Sequence, residues 1–100
     1  MIVVRFRMQA KADKAGELQT ALQAVVLPSR AISGVLGFDI ARDLTDATCF
    51  IATEVFENRA ALEQQEELAE VKRVLELLPE CLSADPEATI YDVRSAAPWG

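Results

Sequence analysis

Histidine is absent from the 100-residue chain. That single lack removes imidazole acid–base catalysis, His-ligated metal sites and a His haem ligand together. Cysteine is scarce: Cys49 and Cys81 lie far apart with no CxxC spacing, so neither a zinc site nor a disulfide framework is indicated, and reduced, buried thiols are expected. Basic residues are few. Ten Lys and Arg against sixteen Asp and Glu give a net charge of −6, which argues against nucleic acid or an anionic membrane surface as partner, since holding phosphates takes clustered cations. No apolar run approaches the ~20 residues of a membrane span. The opening Met1-Ile2-Val3-Val4-Arg5 has no signal-peptide pattern, and a soluble, cytoplasmic protein is expected. A glycine-rich phosphate loop and carboxylates of metal-site spacing are also missing, so neither a metal nor an organic cofactor is expected.

What is present is apolar residue in quantity, 51% of the chain, enough for one domain to build a core without staples. Ile2, Val4, Phe6 and Met8 alternate with Val3, Arg5, Arg7 and Gln9, which predicts a strand over residues 2–9. Asp13 is placed to cap a helix from about Lys14 to Leu27, whose apolar positions are Leu18, Ala21, Leu22, Val25 and Val26. Pro28 interrupts or kinks it, a last turn runs through Arg30 to Ser33, and Gly34 supplies the left-handed residue that ends it. From Val35 to Ala41 the period returns to two, with Leu36, Phe38 and Ile40 on one side. Residues 43–48 read as a turn, and a strand from Cys49 to Glu57 completes a hairpin. Asn58 caps a helix through Leu68, and Val71, Val74, Leu75, Leu78 and Leu82 mark another, broken by Asp85-Pro86. Ala88 to Arg94 is a final strand. A single domain over 1–95 with a patternless tail over 96–100 is expected.

Strand, helix, strand, strand, helix, strand is the order of the ferredoxin-like α+β fold, with helices on one face of an antiparallel sheet. The expectation places Ile2, Val4, Phe6, Met8, Leu36, Phe38 and Ile40 under the helices. The opposite face then carries Val3, Ile51, Val55, Tyr91 and Val93 among Arg5, Arg7, Asp39 and Thr53, too apolar to leave in water. A second copy related by a two-fold axis is the economical cover, so a homodimer through the sheet faces is expected, with Asp39 as counter-charge to Arg5 and Arg7.

The run Ser33-Gly34-Val35-Leu36-Gly37-Phe38, followed by Phe50-Ile51-Ala52-Thr53-Glu54-Val55-Phe56-Glu57-Asn58-Arg59-Ala60-Ala61-Leu62, resembles the antibiotic biosynthesis monooxygenase family of dimeric α+β barrels. That family's signature is Glu-x-aromatic, a cap residue, then Ala-Leu and a histidine. The likeness extends over nearly the whole chain, including the Pro86-Glu87-Ala88-Thr89-Ile90-Tyr91 approach to the last strand. It implies a cofactor-independent monooxygenase acting on a small aromatic substrate, a quinol or polycyclic phenol whose own anion reduces dioxygen. The fold also hosts proteins without known activity, so a non-catalytic small-molecule-binding or structural dimer is the alternative. Phe56 stands where many members carry Trp, and Gln65 and Glu70 stand at two frequent histidine positions. Haem degradation, which leans on that His and Trp, is not implied.

Two residues are candidates for chemistry. Glu54 is the one acid on the stripe Phe50, Ala52, Glu54, Phe56, and burial there would raise its pKa toward the range of a general base; a carboxylate paired to an arginine or a backbone amide is the other reading. Gln65, spaced three from Leu62 and from Leu68, faces inward and would donate to a substrate oxygen, or would be a satisfied core amide. Phe6, Phe38, Phe50, Phe56 and Leu62 are the candidate substrate-binding residues, or simply core. Glu63, Glu66, Glu67 and Glu70 read as a solvated helix face, and Cys81 as core packing.

Overall fold

The computed structural model describes residues 1–100. Its elements are β1 (Ile2–Gln9), α1 (Ala15–Arg30), β2 (Val35–Asp43), β3 (Asp46–Phe56), α2 (Arg59–Glu66), α3 (Ala69–Cys81) and β4 (Glu87–Asp92). The strands form one antiparallel sheet in the order β2-β3-β1-β4, with the helices on one face, so the ferredoxin-like reading is correct.

Alternation sets the faces of the sheet. Ile2, Val4 and Met8 are buried beneath the helices while Arg5 is exposed, as a period of two demands. In α1 the buried residues Leu18, Leu22, Val25 and Ser29 follow helical spacing, and Pro28 sits inside the last turn without ending it. It loses a single backbone bond there. Gly34 then adopts φ of 88°, and its carbonyl accepts from Glu57 N at 2.7 Å, tying the start of β2 to the end of β3. A side chain is excluded twice over, by the left-handed backbone and by Ala61 Cβ, which a Cβ on Gly34 would meet at 2.8 Å. Asn58 caps α2 as expected, its side chain accepting from Ala61 N at 3.0 Å. Asp13 does not cap α1; Lys14 occupies that position without a side-chain bond.

Three further expectations are corrected. Leu36 is 62% exposed because the register passes from Val35↔Phe56 to Gly37↔Val55, so Leu36 is the extra residue of a β-bulge and Val35 takes its place against the core. The β2–β3 turn is shorter than residues 43–48: only Leu44 and Thr45 lie outside the strands, with Asp43 Oδ1 accepting from Thr45 N and Oγ1 at 2.8 and 2.7 Å. Asp39 does not answer Arg5 or Arg7. It pairs with Arg30 at 3.0 Å, while Arg7 pairs with Asp43 at 3.2 Å. The register explains this, since Asp39 faces Thr53 and Thr53 faces Arg5, which puts acid and base two strand spacings, roughly 10 Å, apart.

Both cysteines are buried and free, and burial pushes each thiol upward, so neither is an activated nucleophile. No helix is long and apolar enough to cross a membrane.

Candidate functional site

Two adjacent rows of the inner sheet face build the site. One row runs Ile40, Ala52, Phe6, Ala88 across β2, β3, β1 and β4; the next runs Phe38, Glu54, Val4, Ile90. Ala52 and Ala88 flank Phe6 with side chains of a single methyl, and the missing volume is not refilled from above. A cavity of about 210 Å³ remains between these rows and the helices, roofed by Leu22 and Val25 of α1, Leu62 of α2 and Val74 of α3. Fourteen of its seventeen lining residues are hydrophobic, and the other three are Glu54, Gln65 and Glu66. Apolar walls with a few convergent polar groups are the usual composition of a small-molecule site.

Glu54 is partly buried, and its carboxyl takes part in no salt bridge or hydrogen bond within the chain. Its carboxyl pKa is raised from 4.5 to about 7, first because burial withdraws water from the charged form and then because Glu66 adds a like charge. The alternative of an arginine-paired structural carboxylate therefore has no partner to rest on. Glu66 ends α2 and remains exposed at the rim of the cavity.

Gln65 is only 3% exposed. Its Nε2 donates to Ser29 Oγ at 3.0 Å, a fully buried bond that ties α2 to the last turn of α1. No protein donor engages Oε1, yet no sealed side-chain polar atom is left without a partner, so this oxygen keeps access to open space. Glu54 and Gln65 thus line one cavity, as their positions on strand and helix predict.

The phenylalanines divide. Phe6 lines the cavity and Leu62 joins its roof, but Phe38, Phe50 and Phe56 do not border it. Phe56, fully buried, packs with Ile2, Val4, Ala61 and Leu62; Phe50 lines a separate cleft, with the Arg42 guanidinium 5.0 Å from its ring centre; Phe38 is 3% exposed in the main core. Lying on the face of Glu54, even directly beside it as Phe38 does, does not make a residue border the cavity. The residues that sequence reasoning missed are Glu66, Ser29, Ala52 and Ala88. A signal existed for one of them: Ala52 is the sole small residue in the stripe Phe50, Ala52, Glu54, Phe56 and marks where the core thins. No group of three or more His, Cys, Asp or Glu side chains is placed to hold a metal ion.

Fold and site together define a small α+β domain with a carboxyl-bearing apolar cavity beneath its helices. The sequence profile of the antibiotic biosynthesis monooxygenase family matches residues 1–77, and the chain belongs to that family. It is 30% identical over 92 residues to the uncharacterized protein sll1783 of Synechocystis sp., covering 92% of this chain and 63% of that relative's length. Among solved structures, Rv0793 of Mycobacterium tuberculosis is similar with a TM-score of 0.88 at 20% identity, covering 97% of this chain and 98% of its own. A protein named antibiotic biosynthesis monooxygenase superposes with a TM-score of 0.85 at 21% identity, over 98% and 100% of the two chains. At these identities the structural likeness establishes the fold.

Proposed function

We propose that this chain is a cofactor-independent monooxygenase of a small quinol or phenol, with Glu54 as the proton acceptor. The observation that carries this reading is the carboxyl of Glu54, unpartnered within the chain and poised at about 7, in a cavity otherwise lined by apolar side chains. A general base works best when its pKa lies near the working pH. Glu54 takes the hydroxyl proton of the bound diol, and the electron-rich anion left behind reduces dioxygen. One oxygen atom enters the ring and the other leaves as water. A diol and dioxygen become a hydroxyquinone and water, with all four electrons supplied by the substrate, so no external reductant enters. Gln65, fixed by Ser29, orients the ring against the apolar walls.

The same reading takes the protein as a homodimer through the outer sheet face. There the row Gly37, Val55, Val3, Tyr91 is apolar across all four strands and is followed by Asp39, Thr53, Arg5, Thr89. Tyr91 is 49% exposed in the single chain.

A second reading, ligand binding without turnover, is favoured by Gln65, one of whose amide hydrogens is already committed to Ser29. Dioxygen uptake with a naphthalenediol separates the two. Glu54→Gln keeps the shape of the side chain and removes its basicity, so the rate of uptake falls by about 10²–10⁴ if Glu54 is the base. No uptake by the parent protein with any diol would leave the binding reading.

A further inference from the structure

The cavity carries charge of one sign. Glu54 and Glu66 are its two ionisable groups, no Lys or Arg lines it, and its third polar residue is Gln65, with Nε2 turned to Ser29 and Oε1 free of protein donors. Once Glu54 is ionised, a ligand that enters meets negative charge and a carbonyl acceptor, with the second Nε2 hydrogen of Gln65 as the uncommitted donor. A carboxylate or phosphate on the ligand would be desolvated against apolar walls with no cation to receive it, next to two acids. About 210 Å³ accommodates one or two rings and lies below the roughly 300–1,000 Å³ of pockets for drug-sized ligands; beyond that a larger molecule projects past the half-exposed Leu75 and Ile90 into solvent and gains no further apolar contact.

Resting on the monooxygenase reading and narrowing it, we infer that the cavity selects an aromatic molecule of one or two rings that bears hydroxyl donors and no anionic substituent, and that Glu66 at the rim is the residue that rejects anions. Glu66 touches neither the hydroxyl nor dioxygen in this scheme. It is a specificity residue, and it acts through its charge.

The test is equilibrium binding under argon at pH 8, where Glu54 is mostly ionised, with three probes on one ring system: 1,4-dihydroxynaphthalene, the same diol carrying a ring carboxylate, and 1,4-naphthoquinone, which accepts hydrogen bonds but donates none. The diol is expected to bind. The quinone should bind at least about tenfold more weakly, the usual worth of hydrogen bonds to a charged acceptor, and the carboxylated diol weaker still. Glu66→Gln should narrow the affinity gap between the diol and its carboxylated form by about tenfold. Equal binding of all three probes, binding of none, or a Glu66→Gln variant that rejects the carboxylate as strongly as the parent protein would overturn the inference. Admitting air afterwards tests the enzyme reading separately. Selective binding without dioxygen uptake keeps the selectivity and removes the monooxygenase; uptake that ignores the carboxylate does the reverse.

Discussion

Substituting Glu54 by Gln should make the protein more stable at alkaline pH and leave it unchanged in acid. In the folded chain the carboxyl holds its proton up to a pH of about 7, against 4.5 for the free side chain. The folded state therefore keeps the proton between those values while the unfolded state has released it. Stability associated with Glu54 is fully present below pH 4.5, declines through the interval, and is lost above about 7. At 1.36 kcal/mol per pKa unit the full displacement corresponds to about 3 kcal/mol, and the solvent that still reaches a partly buried carboxyl reduces this to about 2 kcal/mol. Gln is neutral throughout and reproduces the protonated side chain, so Glu54→Gln should equal the parent at pH 4.5 and exceed it by about 2 kcal/mol at pH 8.5. For a domain of this size that is a rise in Tm of roughly 10 °C. Urea unfolding of both proteins at the two pH values gives the comparison, and the titrations of groups that do not interact with Glu54 cancel in the difference. A variant less stable than the parent at pH 8.5 would refute the reasoning, because it would mean that the folded protein supplies the ionised carboxylate with a partner.

Other expectations follow from the same geometry. Gly34→Ala should cost at least about 1–2 kcal/mol in chemical denaturation, from the left-handed backbone before any collision with Ala61 is counted, and a loss below 0.5 kcal/mol would contradict the positive φ. Ser29→Ala leaves the buried Gln65 amide short of an acceptor and should destabilise by about 1–3 kcal/mol, whereas an unchanged midpoint would show that water takes over the bond. Sedimentation at micromolar concentration should give a dimer, and a stable species of 10.9 kDa would dispose of the sheet-face interface. The purified protein should show no Soret or flavin absorption and no stoichiometric transition metal, and any of the three would end the cofactor-free reading.

What could be read from the chain follows periodicity. Alternation in Ile2–Met8 and Phe50–Phe56 placed the inner face and put Glu54 on it, because side-chain direction in a strand depends on parity alone. Parity fails where a bulge adds a residue, and so Leu36 was assigned to the wrong side; Gly37, a glycine inside a strand, is the local sign of that irregularity. Relations between elements are invisible to periodicity. Glu66 is exposed, as an acidic helix face predicts, yet α2 crosses the sheet where its terminal acid stands over Glu54's cavity. The failure of the Asp39 pairing comes from lateral position in the sheet, which strand order decides, whereas Phe50 and Phe56 share β3 with Glu54 and miss the cavity by their position along that strand, which depends on where the helices cross it.

The cost of Glu54 is itself an argument about its use. A carboxyl that loses about 2 kcal/mol on ionising inside the fold could be relieved by a basic residue on the neighbouring surface of α2 or α3, and Lys72 and Arg73 lie on α3 without lining the cavity. Lys72 is instead spent on Glu67, at 3.1 Å in solvent, where an ion pair adds little stability. The one polar bond made in the depth of the site, Gln65 to Ser29, ties down the neighbouring amide and leaves the acid free. Perturbed, unsatisfied groups of this kind concentrate where a protein binds or transforms something. The stability gain and the activity loss expected of Glu54→Gln are then two measurements of one fact. If the gain is found without the loss, the carboxyl serves ligand recognition alone; if both are found, the energy withheld from folding is what keeps a base of pKa near 7 in an apolar cavity.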